Sequence, residues 1–265
     1  MPQTLKIVYS VAPDAAALAA RAAQYFVELA EEAVASCGQA RIAISGGSTP
    51  KAAFALLADP AQPWRARMPW DALDLWWVDE RSVPPDHADS NYRMTRETLL
   101  DKVPLRPERI HRMAGELDPA ETAARYDLQL RTAFGLKGAE LPRFDLLQLG
   151  MGPDGHTASL FPHTEALRET ARLVTANHVE SVKDSWRVTL TRPVINHAAD
   201  VFFLVGGQDK AQILKEVLLG PLDPERLPSQ SIAPASGILT LLLDAAAAAL
   251  LPAKGEGGMG TIERI

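Results

Sequence analysis

One cysteine in 265 residues, Cys37, rules out an internal disulfide and a cysteine-built zinc site; it reads as a small helix residue. Basic runs are missing as well. With 27 Lys and Arg against 33 Asp and Glu the formal charge is -6 and no block of cations stands ready to neutralise successive phosphates, so nucleic acid is not an expected partner. No apolar stretch is long enough to cross a bilayer: the most apolar C-terminal run, Ile238 to Leu251, is too short and contains Asp244. The opening MPQTLKIVYS has no basic segment leading into an apolar signal core. The expectation is a cytoplasmic chain with no membrane partner. Its six histidines show neither HxxxH nor HExxH spacing, so no metal site is expected, and a GxSxG nucleophile elbow is absent.

Present instead is ordinary globular composition, 47% hydrophobic and 23% charged, in a chain long enough to bury a substantial core. No repeat and no linker stands out. A single domain over 1–254 is expected, then a flexible glycine-rich tail over 255–265. A strand over Leu5 to Tyr9 precedes an alanine-rich helix opened by Pro13 and Asp14 and closed by Gly38. Further strands are predicted over Arg41 to Ile44, Leu73 to Val78, near Ile110 to Met113, and over Phe144 to Leu149, Arg172 to Val179, Arg187 to Thr191 and Val201 to Val205. Helical patterns between several of them predict an α/β fold with a mostly parallel central sheet and helices on both faces. Gly220 to Gly237 reads as a long surface loop, and Ile238 to Leu251 as a buried or half-buried helix.

Three strands end in polar clusters, where open α/β sheets bind ligands. After Ile44 comes Ser45-Gly46-Gly47-Ser48-Thr49-Pro50, with Thr49 a candidate helix cap. This loop reads either as an anion cradle of glycines, hydroxyls and a helix N-terminus or as a tight strand-to-helix turn. It is not a Walker A loop, since the spacing to Lys51 is wrong. After Val78 come Asp79, Glu80 and Arg81, where Arg81 could clamp an anion or an oxyanion, or the cluster could be a solvated turn. After Leu149 comes GMGPDGH, which places Asp154 and His156 at the start of a short predicted helix whose dipole would favour a neutral imidazole. Gly150 to Gly155 matches GxGxxG, with Glu180 downstream, yet Pro153 stiffens the loop and Pro162 stops the helix, which argues against a dinucleotide. Arg187 and Lys210 are two further cations near predicted strand ends, either phosphate partners or surface charges. Without a metal or covalent nucleophile, base-assisted attack by water or proton transfer remains.

Taken together these motifs resemble the 6-phosphogluconolactonase family, which is related to the glucosamine-6-phosphate deaminases. The resemblance rests on SGGSTP (Ser45 to Pro50), WVDER with SNY (Trp77 to Arg81, Ser90 to Tyr92), GMGPDGHTASLFP (Gly150 to Pro162), RVTLT with Ile195, Asn196 and Ala198 (Arg187 to Thr191), and GGQDKA (Gly206 to Ala211). It spans about residue 5 to about residue 250. It implies a Rossmann-like fold and cofactor-free hydrolysis of 6-phospho-D-glucono-1,5-lactone to 6-phospho-D-gluconate in the pentose phosphate pathway. It further implies His156 as the base that activates water, Asp154 in support and Arg81 as an active-site cation. Gly46, Gly47, Ser48, Thr49, Asp79, Glu80, Arg187 and Lys210 would hold a sugar-phosphate lactone. The oligomeric state is open, with a monomer the expectation. One departure stands near the C-terminus: the family usually shows an aromatic residue before the acid of its last helix, where this chain has Leu239 to Leu243 and then Asp244.

Two other functions share parts of this pattern. A glucosamine-6-phosphate isomerase and deaminase typically has a further acid after an Asn-Asp-Gly-His loop, whereas here Pro153 precedes Asp154 and Ala158 to Phe161 follow without one. A sugar-phosphate sensor would keep the cradle without the chemistry, yet both His156 and Arg81 are present.

Overall fold

A computed structural model of the chain describes residues 5–180 and 185–265. Strand β1 (Lys6–Ala12) leads into α1 (Ala15–Cys37). Asp14 accepts from the Ala17 N–H at 2.8 Å and Gly38 closes the helix at φ +79°, so both ends lie where the sequence predicts them. Next come β2 (Ala40–Ile44), α2 (Ser48–Ala58), α3 (Pro63–Arg67), β3 (Leu73–Trp77) and the short β4 (Asp79–Arg81). They are followed by α4 (Asn91–Thr98), β5 (Ile110–His111), α5 (Pro119–Phe134) and β6 (Leu146–Leu149). The rest of the chain supplies β7 (Val174–His178), β8 (Trp186–Leu190), α6 (Arg192–His197), β9 (Asp200–Val205), α7 (Ala211–Leu219), β10 (Ile238–Asp244), β11 (Lys254–Gly257) and β12 (Gly260–Arg264).

Nine strands form one sheet in the order β11, β12, β1, β10, β9, β6, β2, β3, β5, parallel throughout except for β11 against β12. This is the Rossmann-like α/β architecture. From β2 the chain steps outward to β3 and β5; from β6 it steps the other way to β9 and β10. The direction therefore reverses between β2 and β6, and the crevice outside their carboxyl ends is where such a sheet receives a ligand.

Both faces of the sheet are buried. Phe26, Phe54, Ile42, Ile44, Trp77, Phe202 and Leu204 pack on the face covered by α1 and α2, and Trp76, Tyr126, Phe144, Leu147, Phe203 and Leu214 on the face covered by α5 and α7. Trp76 and Trp77 point to opposite faces, as successive strand residues must.

That double burial explains one correction. Ile238 to Leu251, expected as a helix, is strand β10 for its first seven residues, with Leu239, Leu241 and Leu243 on one core and Leu242 on the other. A strand buried on both faces reads as a continuous apolar run, and a short run of that kind does not distinguish strand from helix. The family departure noted in the sequence thus falls on a strand end.

Four further expectations change. The expected tail at 255–265 forms most of the β11–β12 hairpin, with β12 on β1; at Gly260, φ +144°, a Cβ would collide with the Leu5 carbonyl oxygen. The 220–237 segment is no mere surface loop: Leu227, Ser229, Gln230 and Ile232 are buried, and Gln230 Nε2 donates to the Val217 and Pro221 carbonyls at 3.0 Å each. Strands β7 and β8 join β4 in a separate antiparallel sheet of three strands rather than the large parallel one. No helix follows Gly155: residues 154–161 run through turns pinned by a bridge between Thr157 and Leu160, with Ala158 at φ +49°. Among the described residues no helix is long and apolar enough to cross a membrane.

Candidate active site

Strand β2 delivers Ser45 and the glycine loop to the reversal point. Helix α2 begins at Ser48 with Gly47, φ +122°, as its cap, two positions before the predicted cap Thr49, and no side chain caps it. Its first N–H groups therefore face the cleft with the positive end of the helix behind them. Gly46 must lack a Cβ because the Asn91 carboxamide lies against it. Behind the loop, buried Gln148 of β6 accepts from the Ser45 N–H at 3.0 Å and donates to Ser45 Oγ at 2.7 Å.

Strand β6 delivers Gly150 to His156. His156 Nδ1 lies 2.5 Å from Asp154 Oδ1, and the same oxygen accepts from the His156 N–H at 3.1 Å. Because a carboxylate only accepts, the Nδ1 proton belongs between them and Nε2 carries the basic lone pair. The ring also stacks on Phe161, centroids 3.9 Å apart. A Cβ on Gly152 would collide with the imidazole, and Gly155, φ +79°, turns the chain against Leu227. Burial pushes the Asp154 carboxyl up, but the hydrogen bond and charge of His156 outweigh it and hold it below the usual aspartate range. The expected helix dipole at His156 is absent with the helix itself; the carboxylate is what orients this ring.

Strand β3 runs on through Val78 into β4. Asp79, 6% exposed, accepts from Ser159 Oγ at 2.7 Å and from Asn91 Nδ2 at 3.4 Å. Arg81 donates to the Asp89 carbonyl at 2.7 Å and faces the cleft. Glu80 turns the other way. Only 2% exposed, it accepts from the N–H groups of Arg81, Asn91 and Tyr92 at 2.8 Å each and from Ser90 Oγ at 3.1 Å, so it ties the 81–92 loop to the first turn of α4. Burial pushes its carboxyl up to about 7 against the pull of those N–H groups, and the Asp79 charge adds to the rise.

Strand β9 delivers Gly206 to Lys210, and Lys210 faces the cleft with Nζ 3.5 Å from Asp209. This loop is held from β10: Asp244 accepts from the Gly207 N–H at 2.9 and 3.1 Å and from the Ala247 N–H at 2.7 Å.

The resulting cleft has a volume of about 220 Å³, and its wall includes Ser45 to Pro50, Asp79, Arg81, Asn91, Gly150 to Gly152, His156 and Lys210. The structure thus brings together His156, Arg81, Asp79, Gly46, Gly47, Ser48, Thr49 and Lys210, with Asp154 directly behind His156. Two other expected residues also stand outside the wall. Glu80 is consumed by α4, and Arg187, 8% exposed on β8, sits opposite Arg81 in the ladder and donates to the Trp186 carbonyl at 2.9 Å. Asn91, Gln148, Ser159 and Asp244, none of them a site residue predicted from the sequence, also support the site. Gln148 carries a signal, being the one polar residue in an apolar strand, and Asn91 follows directly on the capping Ser90. Among the described residues no group of three His, Cys, Asp or Glu side chains is arranged to hold a metal ion.

The family model described as glucosamine-6-phosphate isomerases/6-phosphogluconolactonase matches residues 13–241. A 6-phosphogluconolactonase from Nostoc sp. is 42% identical over 248 residues, covering 93% of this chain and 99% of its own. One from Synechocystis sp. is 42% identical over 212 residues, 80% of this chain and 85% of its own. Among solved structures, the 6-phosphogluconolactonase from Trypanosoma cruzi superposes with a TM-score of 0.79 at 30% identity, covering 95% of this chain and 98% of its own.

Proposed function

The chain belongs to the family of glucosamine-6-phosphate isomerases and 6-phosphogluconolactonases, its activity is that of a 6-phosphogluconolactonase, a hydrolase, and we propose that His156 drives that hydrolysis by activating water. In this scheme Nε2 takes a proton from water as the oxygen attacks C1 of 6-phospho-D-glucono-1,5-lactone. The carbonyl becomes an oxyanion beside the Arg81 guanidinium. Collapse breaks the bond from C1 to the ring oxygen, and the imidazolium returns its proton to that oxygen, giving 6-phospho-D-gluconate. Asp154 holds the ring with Nε2 outward and stabilises the imidazolium.

Phosphate recognition falls to the start of α2, which no side chain caps, where Ser48, Thr49 and Lys210 supply donors and positive charge. Asp79, itself a carboxylate, suits sugar hydroxyls rather than phosphate. In this scheme Arg187 does not touch the substrate; it adds positive charge across the ladder from Arg81. The oxidative branch of the pentose phosphate pathway supplies the setting, in a cytoplasmic monomer, which cell fractionation and light scattering check.

The observation that carries this reading is the 2.5 Å contact between Asp154 and a cleft-lining His156. The scheme uses no metal. Hydrolysis of freshly generated 6-phosphogluconolactone with chelator present, measured against the spontaneous background, tests it: acceleration that survives chelator and requires the phosphate supports the scheme. Loss of rate on chelation contradicts it.

A further inference from the structure

Gln148 is fully buried on β6 between Leu147 and Leu149, where a leucine would fill similar space without the cost of burying a carboxamide. Both ends of that carboxamide are spent on one residue, Ser45. The paired register of β2 with β6 covers Ile42 and Ala43 but does not extend to Ser45, so Gln148 takes up an N–H that the ladder leaves over.

The proton directions follow from valence alone. A backbone N–H only donates, so the atom 3.0 Å from Ser45 N must be the amide oxygen, and the nitrogen must face Ser45 Oγ at 2.7 Å. An amide nitrogen also only donates. Ser45 Oγ is therefore an acceptor on that side and its own proton must point elsewhere. Among the described residues no acceptor takes it, and Ser45 belongs to the cleft wall at the foot of α2, with Gly150 so placed that a Cβ there would lie 3.9 Å from Oγ.

We infer that Gln148 is a positioning residue that fixes the Ser45 hydroxyl as a donor into the cleft, aimed at a phosphoryl oxygen of the substrate. A hydroxyl free to rotate presents a lone pair as readily as a proton, and a lone pair facing a phosphate is repulsive. The inference rests on the reading of the 45–49 loop as the phosphate cradle.

The test is a double-mutant cycle of Ser45→Ala and Gln148→Leu, read by KM for the phosphorylated lactone and by Ki for inorganic phosphate as competitor, with folding followed by thermal melting. Ser45→Ala is expected to raise both constants about tenfold, the worth of one hydrogen bond to a charged group, with a smaller fall in kcat. Gln148→Leu raises them in the same direction, and adds little in the Ser45→Ala background because the hydroxyl it orients is gone. A second variant, Gln148→Glu, still accepts from the Ser45 N–H but presents oxygen to Oγ and draws the hydroxyl proton away from the cleft; its Ki rises further than that of Gln148→Leu. Unchanged constants in Gln148→Leu and Gln148→Glu, or an equal rise with and without the Ser45 hydroxyl, overturn the inference and leave Gln148 a structural tie. Lys210→Ala and Thr49→Ala serve as the control for the cradle itself. If they also leave Ki for phosphate unchanged, the cradle reading fails; if they raise it while the Gln148 variants do not, only the role of Gln148 fails.

Discussion

Asp154 Oδ1 lies 2.5 Å from His156 Nδ1 and 3.1 Å from the His156 N–H, so one carboxylate oxygen fixes both the ring and the chain that carries it. Asp154→Ala removes both restraints and is expected to lower kcat about 100-fold while changing KM little, short of what loss of the base itself costs. Asp154→Asn keeps an oxygen able to accept both hydrogens and should fall between wild type and Asp154→Ala in steady-state kinetics.

Gly152 gives the imidazole its place. A Cβ there meets the His156 ring, while the backbone lies outside the left-handed region, so alanine displaces the ring without straining the chain. Gly152→Ala is therefore expected to approach the His156→Ala level of turnover with a melting temperature near that of wild type. Kinetics and calorimetry on the same preparation check both halves.

Glu80 makes stability depend on pH in an unusual direction for a carboxylate. Burial lifts its folded-state value to about 7 from the ordinary 4.5, so between those limits the folded chain keeps a proton that the unfolded chain has lost. Stability from this group is present below about 4.5, falls as pH rises to about 7 and is flat above, a loss of about 3 kcal/mol in all. Glu80→Gln does not titrate. The difference in unfolding free energy between wild type and Glu80→Gln, from denaturant titrations at pH 4.5 to 8, should shift against the wild type across that window.

Asp244 reaches the site through a backbone. It accepts from the N–H groups of Gly207 and Ala247, so Asp244→Ala leaves both without their acceptor, at a cost of about 1–3 kcal/mol for each group left buried. The loop that carries Lys210 loosens with it. Chemical denaturation should show the lost stability, and KM for the phosphorylated lactone should rise more than kcat falls.

Much of this was legible in the residues. Gly46, Asp79, His156 and Lys210 were readable because each follows an apolar strand, and the fold places every such exit at one end of the sheet. Asp14 and Gly38 marked α1 because caps are local chemistry. What stayed hidden was decided by distant partners. Ile238 to Asp244 is a strand because β1 and β9 flank it, a fact its own periodicity does not contain. Glu80 looked like a ligand-holding acid beside Arg81, yet alternation along β4 and the approach of α4 bury it. The turn at His156 looked helical until a bridge between Thr157 and Leu160 claimed it. Gln148 and Asp244 act on loops 103 and 37 residues away in sequence, and no local pattern announces such a tie.

The most direct measurement compares wild type and His156→Ala on freshly generated 6-phosphogluconolactone, corrected for spontaneous hydrolysis. With His156 as the general base, kcat is expected to fall by about two to four orders of magnitude with a smaller change in KM. Turnover near that of wild type in His156→Ala would contradict it, and glucosamine 6-phosphate would become the next substrate to try.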